Sequence, residues 1–329
     1  MQAMGYSIMV ESFASLEKAW EQLLSASTTG HVFFTPQWQT AWWQAFGSGS
    51  QLLLLSFKRD TELMGIAPLM RQEERISFIG SSDVCDYMDF VVRQGQEVAI
   101  LSQLLDCLEP MDWNSIDLQS LLPHSLALSH FAPLAQQRGY LVEITQEDVS
   151  PQLVLPSSWE KYLSQLKRKD RHELKRKLRR LDQVKSTRFY TIAEKGQLRQ
   201  ELAGFFELFK LSGGEKAGFM TDQRRDFFEA MSHSLAEEGY IRLSFLEVGG
   251  ILVASALCFD YENELYLYNS GYDPAYASLS VGLLLKVFCL KEGILEGKRR
   301  FDFLRGAEPY KYDLGGQDVP IYRCVISRG

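Results

Sequence analysis

Two stretches of this chain, about half its length apart, carry the same features in the same order. Few folds accommodate such a repeat. The first stretch has an apolar strand pattern at Leu52–Phe57, a polar turn at Asp60-Thr61-Glu62 and a second strand through Gly65-Ile66-Ala67. The second has Ile241–Glu247, the turn Val248-Gly249-Gly250 and Leu252-Val253-Ala254. Each is followed by a third strand, a helix and a strand bearing a single Asp: Ile116-Asp117-Leu118 and Phe301-Asp302-Phe303. The offset is 187 residues at Ala67/Ala254 and 185 at Asp117/Asp302. Two features at nearly one spacing predict a duplicated unit of about half the 329-residue chain. The expected division is 1–150 and 151–329. Each half is α/β with a mixed sheet, because strand and helix patterns alternate within it.

In the first half, Ser15–Ser25 predicts a helix with Leu16, Ala19, Trp20, Leu23 and Leu24 on one face. Pro36 opens a second helix to Phe46, whose Trp38, Trp42 and Trp43 read as core. Strands at Met64–Met70 and Arg75–Ile79, a helix at Gln96–Leu108, a strand at Ser115–Leu121 and a helix at Ser125–Arg138 complete it. In the second half, Ser157 and Glu160 have capping-box spacing, and a basic helix follows, ending at Leu181. Helices at Glu201–Leu211 and Arg224–Glu237 flank the Gly-rich stretch Ser212–Gly218. Strands are expected at Ile241–Glu247, Ile251–Phe259 and Glu264–Asn269. Leu279–Leu295 reads as a long helix, apolar on most faces and therefore buried. Phe301–Leu304 and Ile321–Ile326 are the last expected strands.

A net charge of −7 gives the surface as a whole no attraction for nucleic acid. Residues 167–180 depart from that balance, with nine Lys or Arg against Asp170 and Glu173. Helical spacing turns Leu166, Leu174, Leu178 and Leu181 towards a core and leaves those cations in solvent. The helix has no aromatic residue on which a base could stack. DNA is therefore not an expected partner, RNA is disfavoured, and contact of residues 167–180 with an anionic membrane surface is weak at most. Five widely spaced cysteines without a CxxC exclude a disulfide framework and a structural zinc site. No HExxH or clustered His supports another metal. The N-terminus lacks the basic and apolar regions of a signal peptide, and no apolar run approaches the ~20 residues of a membrane span. The expectation is a cytoplasmic protein.

Nucleophile-elbow, Walker A and GxGxxG patterns are absent. Two stretches carry chemistry. In Tyr268–Gly282 a strand ends, a turn of small residues follows and the long apolar helix begins. The positive end of that helix makes the turn an anion site, with Ser278 or Ser280 as cap and Gly282 permitting close approach. In Phe301–Tyr312, Asp302 faces away from Phe301 and Phe303, and the strand runs into a turn holding Arg305, Glu308, Tyr310 and Lys311.

These blocks resemble the acetyltransferase domain of CelD-type cellulose and exopolysaccharide biosynthesis proteins, in the GNAT superfamily, with the tandem architecture of FemAB-type transferases. The likeness rests on Gly271-Tyr272-Asp273-Pro274 with Tyr276-Ala277, on Ser280-Val281-Gly282-Leu283-Leu284, and on Asp302-Phe303-Leu304-Arg305-Gly306 with Glu308-Pro309-Tyr310-Lys311. The first half adds Trp38 with Ala41-Trp42-Trp43, Ala67-Pro68-Leu69 and Asp86-Tyr87-Met88-Asp89-Phe90. Such proteins often carry Pro before the helix Gly, where this chain has Val281.

The resemblance implies two tandem GNAT-like domains and acyl transfer from acetyl-CoA or another acyl-CoA to a small-molecule amine, on a sugar, amino-sugar or envelope precursor. The donor pyrophosphate would lie on Ala277, Ser278, Ser280, Val281 and Gly282. The thioester would meet Asn269, Ser270, Gly271 and Tyr272. Asp302 or Glu308 would take the amine proton, Tyr310 or Tyr276 would protonate the thiolate, and Lys311 would bind a donor phosphate or an acidic acceptor. The alternatives are an aminoacyl-tRNA-dependent transferase and a scaffold without catalysis. In the first half the matching turn is Val92–Glu97, where Glu97 would occupy the anion position. One donor site is therefore expected, in the second half, with the first half a degenerate copy.

Overall fold

The computed structural model describes residues 5–213 and 218–328. Of the predicted Gly-rich join, Gly214–Ala217 lie outside the described residues. The chain divides into two compact units, Met1–Asp148 with Val319–Gly329, and Val149–Asp318.

The first unit contains β1 (Ser7–Val10), α1 (Phe13–Ser25), α2 (Pro36–Phe46), β2 (Gln51–Arg59), β3 (Glu62–Gln72), β4 (Arg75–Phe78) and β5 (Val91–Val92). It continues through α3 (Glu97–Leu108), β6 (Ser115–Leu121) and α4 (Ala132–Gln137) into β7 (Leu141–Val154), whose residues from Val149 belong to the second unit. The second unit has α5 (Trp159–Gln165), α6 (Arg168–Asp182), β8 (Thr187–Ile192), α7 (Lys195–Leu211) and α8 (Asp222–Glu237). After these come β9 (Ile241–Val248), β10 (Ile251–Tyr261), β11 (Glu264–Tyr272), α9 (Val281–Leu295), β12 (Arg300–Asp302) and α10 (Pro309–Asp313). The last strand, β13 (Gln317–Ser327), lies in the first unit from Val319 onward.

The strand order repeats. The first unit reads β1-β2-β3-β4-β6 and then β13; the second reads β8-β9-β10-β11-β12 and then β7. In each, one adjacent pair is parallel: β4 with β6, and β11 with β12. The other pairs are antiparallel. This is the duplicated α/β architecture with mixed sheets that the repeat predicts. The sequence division put residues 319–329 in the second half. The structure places them in the first unit, where they form its sixth strand.

The repeated Asp holds that sixth strand in both units. Asp117 is buried on β6 and receives two bonds of 2.8 Å from the Arg323 guanidinium on β13. Asp302 is buried on β12 and accepts from Ser150 Oγ at 3.1 Å and Gln152 Nε2 at 3.0 Å, both on β7.

Local starts follow side-chain capping. Thr35 Oγ1 accepts the Trp38 N–H at 3.3 Å with Pro36 in the first turn, so α2 begins where predicted. The cap of α5 is Ser158, one residue later than the predicted Ser157; its Oγ accepts the Lys161 N–H at 3.2 Å. Leu166 is extended, at φ −66° and ψ 145°, which separates α5 from the basic helix α6. On α6, Leu174 and Leu181 are buried and Leu178 packs against the same core, as the spacing predicts. Among the described residues, no helix is long and apolar enough to cross a membrane.

The first unit also buries a carboxyl. Asp89 accepts the N–H groups of Leu126 at 2.7 Å and Ala127 at 3.0 Å. Burial pushes its pKa from 3.8 up to about 7. Above pH 3.8 the unfolded chain loses this proton while the native one keeps it, so the group's contribution is full below that pH and is lost as pH rises through about 7. Asp89→Asn is expected to flatten the fall in Tm across that window. An unchanged slope in thermal melts at several pH values would contradict the assignment.

Candidate active site

The second sheet opens where its parallel pair ends. β11 and β12 are in register at Glu264/Arg300, Leu265/Phe301 and Tyr266/Asp302. β12 stops there, while β11 runs on to Tyr272, held on its other edge by β10. The chain leaves β12 through Leu304, a buried non-Gly residue at φ 57°. A cavity of about 440 Å³ lies at this opening. Ser270 and Tyr272 of β11 line one side of it, and Glu308 and Tyr310 come from the loop and helix after β12. Ala277, Ser280, Val281, Gly282 and Leu283 form the turn and first turn of α9. Two lysines complete the wall, Lys286 from the second turn of α9 and Lys177 from α6.

The turn into α9 is built by backbone bonds. Asp273 Oδ1 accepts the Ala275 N–H at 2.9 Å and starts a 3-10 turn over Pro274–Leu279. Ser280 then adopts the left-handed conformation, φ 56° and ψ 36°. Its carbonyl accepts the Leu283 and Leu284 N–H groups at 3.1 and 2.9 Å. Its side chain makes no capping bond, contrary to expectation, and the Ser278 carbonyl instead accepts from the Arg180 guanidinium. The Val281 and Gly282 N–H groups are among the four that an α-helix leaves without an intrahelical acceptor, and both residues line the cavity. Gly282 is required by contact: a Cβ there would stand 2.9 Å from the Tyr272 ring.

The strand residues divide by role. A Cβ on Gly271 would meet the Phe209 backbone nitrogen at 2.4 Å, so this glycine lets α7 press on β11 and does not face the cavity. The Tyr272 N–H donates to Ser212 Oγ at 2.8 Å, which removes it as a donor to a substrate carbonyl. Asn269 sits half-buried opposite Leu257, beside a β-bulge. Tyr276 packs against the core and, like Asn269 and Ser278, is not on the cavity wall.

Of the four predicted catalytic residues, the cavity gathers two. Asp302 is 1% exposed and, besides its β7 partners, accepts the Leu304 N–H at 2.8 Å; it is placed as scaffold and not as an accessible base. Lys311 is 2% exposed, with Nζ donating to the carbonyls of Leu304, Arg305 and Gly306 at 2.9, 2.7 and 3.0 Å. That ammonium folds the loop, which corrects its expected role as a phosphate ligand. It also pairs with Glu308 at 2.8 Å, whose side chain is half-exposed at the cavity. Burial, reinforced by the neighbouring Glu308 charge, pushes the Tyr310 phenol far above its ordinary value, so it holds its proton at any working pH.

The residues missed in the sequence are Lys177, Leu283 and Lys286. Lys286 had a signal: it is the single charge in the apolar run Val281–Leu290. Lys177 and Arg180, three apart on one face of α6, were hidden in a run of nine cations read as solvated.

In the first unit, the turn before α3 carries its own anion. Glu97 Oε1 accepts the Gly95 N–H at 2.9 Å, the kind of donor a phosphate would use.

A family model described as acetyltransferase (GNAT) domain matches residues 168–312, which includes α6, the turn, α9 and the Asp302–Lys311 block. That match covers less than half of the chain and gives the second unit a GNAT-type acetyltransferase domain, while the arrangement of two such units is shared with a tandem GNAT protein. Among solved structures, FemX is 12% identical with a TM-score of 0.66, covering 96% of each chain. The C-terminal domain of an Agrobacterium fabrum protein assigned as a lysylphosphatidylglycerol synthetase is 11% identical with a TM-score of 0.61, covering 95% of this chain and 92% of that one. A tandem GNAT protein from the clavulanic acid biosynthesis pathway is 11% identical with a TM-score of 0.51, covering 98% and 99%. At these identities the likeness is one of fold. A search of curated proteins finds no match.

Proposed function

We propose that this protein transfers an acyl group, in the first instance acetyl, from an acyl-CoA to the amine of a sugar, amino-sugar or envelope-polysaccharide precursor. The observation that carries the reading is the cavity at the β11/β12 opening, floored by the first turn of α9. A helix end with unpaired N–H donors suits the donor pyrophosphate, and the parted strands give its thioester a slot. The amine nitrogen attacks the thioester carbonyl carbon. The tetrahedral intermediate then collapses by breaking the carbon–sulfur bond. In this reading Glu308 takes the amine proton directly or through a water and the protonated Tyr310 donates to the departing thiolate; both line the cavity.

A second reading has one feature in its favour. The cations of α6 adjoin the cavity through Lys177 and Arg180, where the backbone of a charged tRNA could lie. FemX and the lysylphosphatidylglycerol synthetase share the fold, so aminoacyl transfer is the alternative to test. A thermal-shift panel of CoA thioesters against aminoacyl-tRNA separates the two. Stabilisation by the thioesters supports acyl-CoA as donor; stabilisation by charged tRNA alone replaces it.

A further inference from the structure

The first unit has a cavity of its own that the donor reading does not use. Strands β4 and β6 are in parallel register as far as Ser77/Asp117. Beyond that pair the two chains separate into loops, and the carboxyl ends of neighbouring parallel strands are where open sheets admit ligands. Three connections line a cavity of about 30 Å³, room for about two waters or the tip of one small ligand. The connection from α1 to α2 supplies His31 and Phe34, the segment between β4 and β5 supplies Tyr87 and Asp89, and the loop after β6 supplies His124.

Asp89 is 4% exposed, and each of its carboxyl oxygens accepts one backbone N–H, from Leu126 and from Ala127. Each oxygen of a carboxylate can accept a second donor. Among the described residues lining the cavity there is no Lys or Arg, so the wall offers this acid no countercharge. A buried carboxylate repels an anion and gains most from a cation that also donates hydrogen bonds. The remaining wall suits such a ligand. The His31 ring lies 4.6 Å from the Tyr87 ring and 5.7 Å from the Phe34 ring, centroid to centroid, so the three form one aromatic surface. Aromatic faces attract an organic cation.

We infer that this cavity binds the ammonium end of a small amine, whose N–H donors complete the Asp89 carboxylate and whose charge lies against the His31, Phe34 and Tyr87 rings. The cavity admits a primary ammonium tip and is too small for a quaternary one. The site stands independently of the donor reading. Acyl transfer consumes an amine, and this site gives the unit in which no donor is expected a ligand of that same class.

Binding of this kind depends on pH. Burial holds the Asp89 pKa at about 7, so a cation meets a carboxylate at about pH 8 and a neutral acid at about pH 5, and affinity falls about a hundredfold between them. An alkylammonium keeps its charge over that whole range. His31, His124 and Tyr87 are the other titratable groups on the wall, and a proton gained by either imidazole also opposes a cation.

Thermal melts of the full chain with methylammonium chloride, set against potassium chloride at equal ionic strength, test the inference. Saturating methylammonium should raise the Tm by about 2 °C or more at about pH 8 and leave it unchanged at about pH 5. Asp89→Asn should abolish the rise. Glu308→Gln, which removes the carboxylate of the second unit's cavity, should preserve it. If Asp89→Asn fails to fold, the wild-type contrast between the two pH values decides. A rise equalled by potassium or by tetramethylammonium, one as large in acid, or one that persists in Asp89→Asn overturns the inference. Loss of the rise in Glu308→Gln would put the cation in the second unit and overturn it as well. None of these outcomes touches acetyl-CoA binding, so the donor reading stands or falls separately.

Discussion

A chain ending at Asp318 is expected to lose the native structure of its first unit, although the deletion removes only the C-terminal strand. Residues 319–327 are the sixth strand of that unit, paired with β6 from Tyr322/Leu121 to Ser327/Ser115. Ile321, Cys324 and Ile326 on it are fully buried. Each isoleucine contributes about 1.5–3 kcal/mol by burial. Loss of Arg323 leaves the buried Asp117 with the half-exposed Arg75, 3.7 Å away, as its ion-pair partner, a change of the kind that costs about 3–5 kcal/mol. Together these rival the whole stability of a domain, about 5–15 kcal/mol. Amide hydrogen exchange over β6, residues 115–121, reads the outcome. Protection should collapse in the truncated chain, while Arg323→Ala alone should destabilise without unfolding. Full protection of β6 after truncation would show that the strand is dispensable.

Gly282→Glu is expected to abolish donor binding, a loss of about a hundredfold or more. Any Cβ at this position meets the Tyr272 ring, so the cavity wall must shift. The carboxylate also brings negative charge to the helix end that favours an anion, an electrostatic reversal of about 1–2 kcal/mol before any steric effect. Val98→Glu, on the exposed side of the counterpart helix α3, adds the same side chain where no donor is expected. Charge reversal at Arg176 and Arg179, which are absent from the cavity wall, should likewise leave binding intact. Undiminished affinity in Gly282→Glu, read by titration with acetyl-CoA, would place the donor elsewhere.

Elements with strong local signals were legible in the sequence. The hairpin at Val248-Gly249-Gly250 declares itself because both glycines take positive φ, 62° and 80°. The helix α9 declares itself by the ten-residue apolar run Val281–Leu290, interrupted by Lys286. β8 was missed because among the described residues it is an edge strand paired with β9 alone; Thr187 and Arg188 are exposed and Phe189, Tyr190 and Thr191 half-buried, so no alternation survives. The assignment of residues 319–329 to the first unit depends on Arg323 meeting Asp117, 206 residues away, and no local pattern encodes it.

The candidate site divides on the same lines. The turn before α9 could be read because small residues before an apolar helix have few other uses. Asp302 drew attention as an acid between two phenylalanines, yet its duplicate Asp117 holds the same sixth-strand position, and that repetition points to architecture more than to chemistry. Lys311 looked available because sequence shows a charge but not the three carbonyls folded around it.

On the proposed reading the chain binds one acyl donor, in the second unit, because Glu97 occupies the equivalent turn of the first. Calorimetric titration of the wild-type chain with acetyl-CoA tests it most directly. Saturable binding of one acetyl-CoA per chain is expected, displaced by inorganic diphosphate and lost in Gly282→Glu. A stoichiometry of two, or no binding at all, would contradict it.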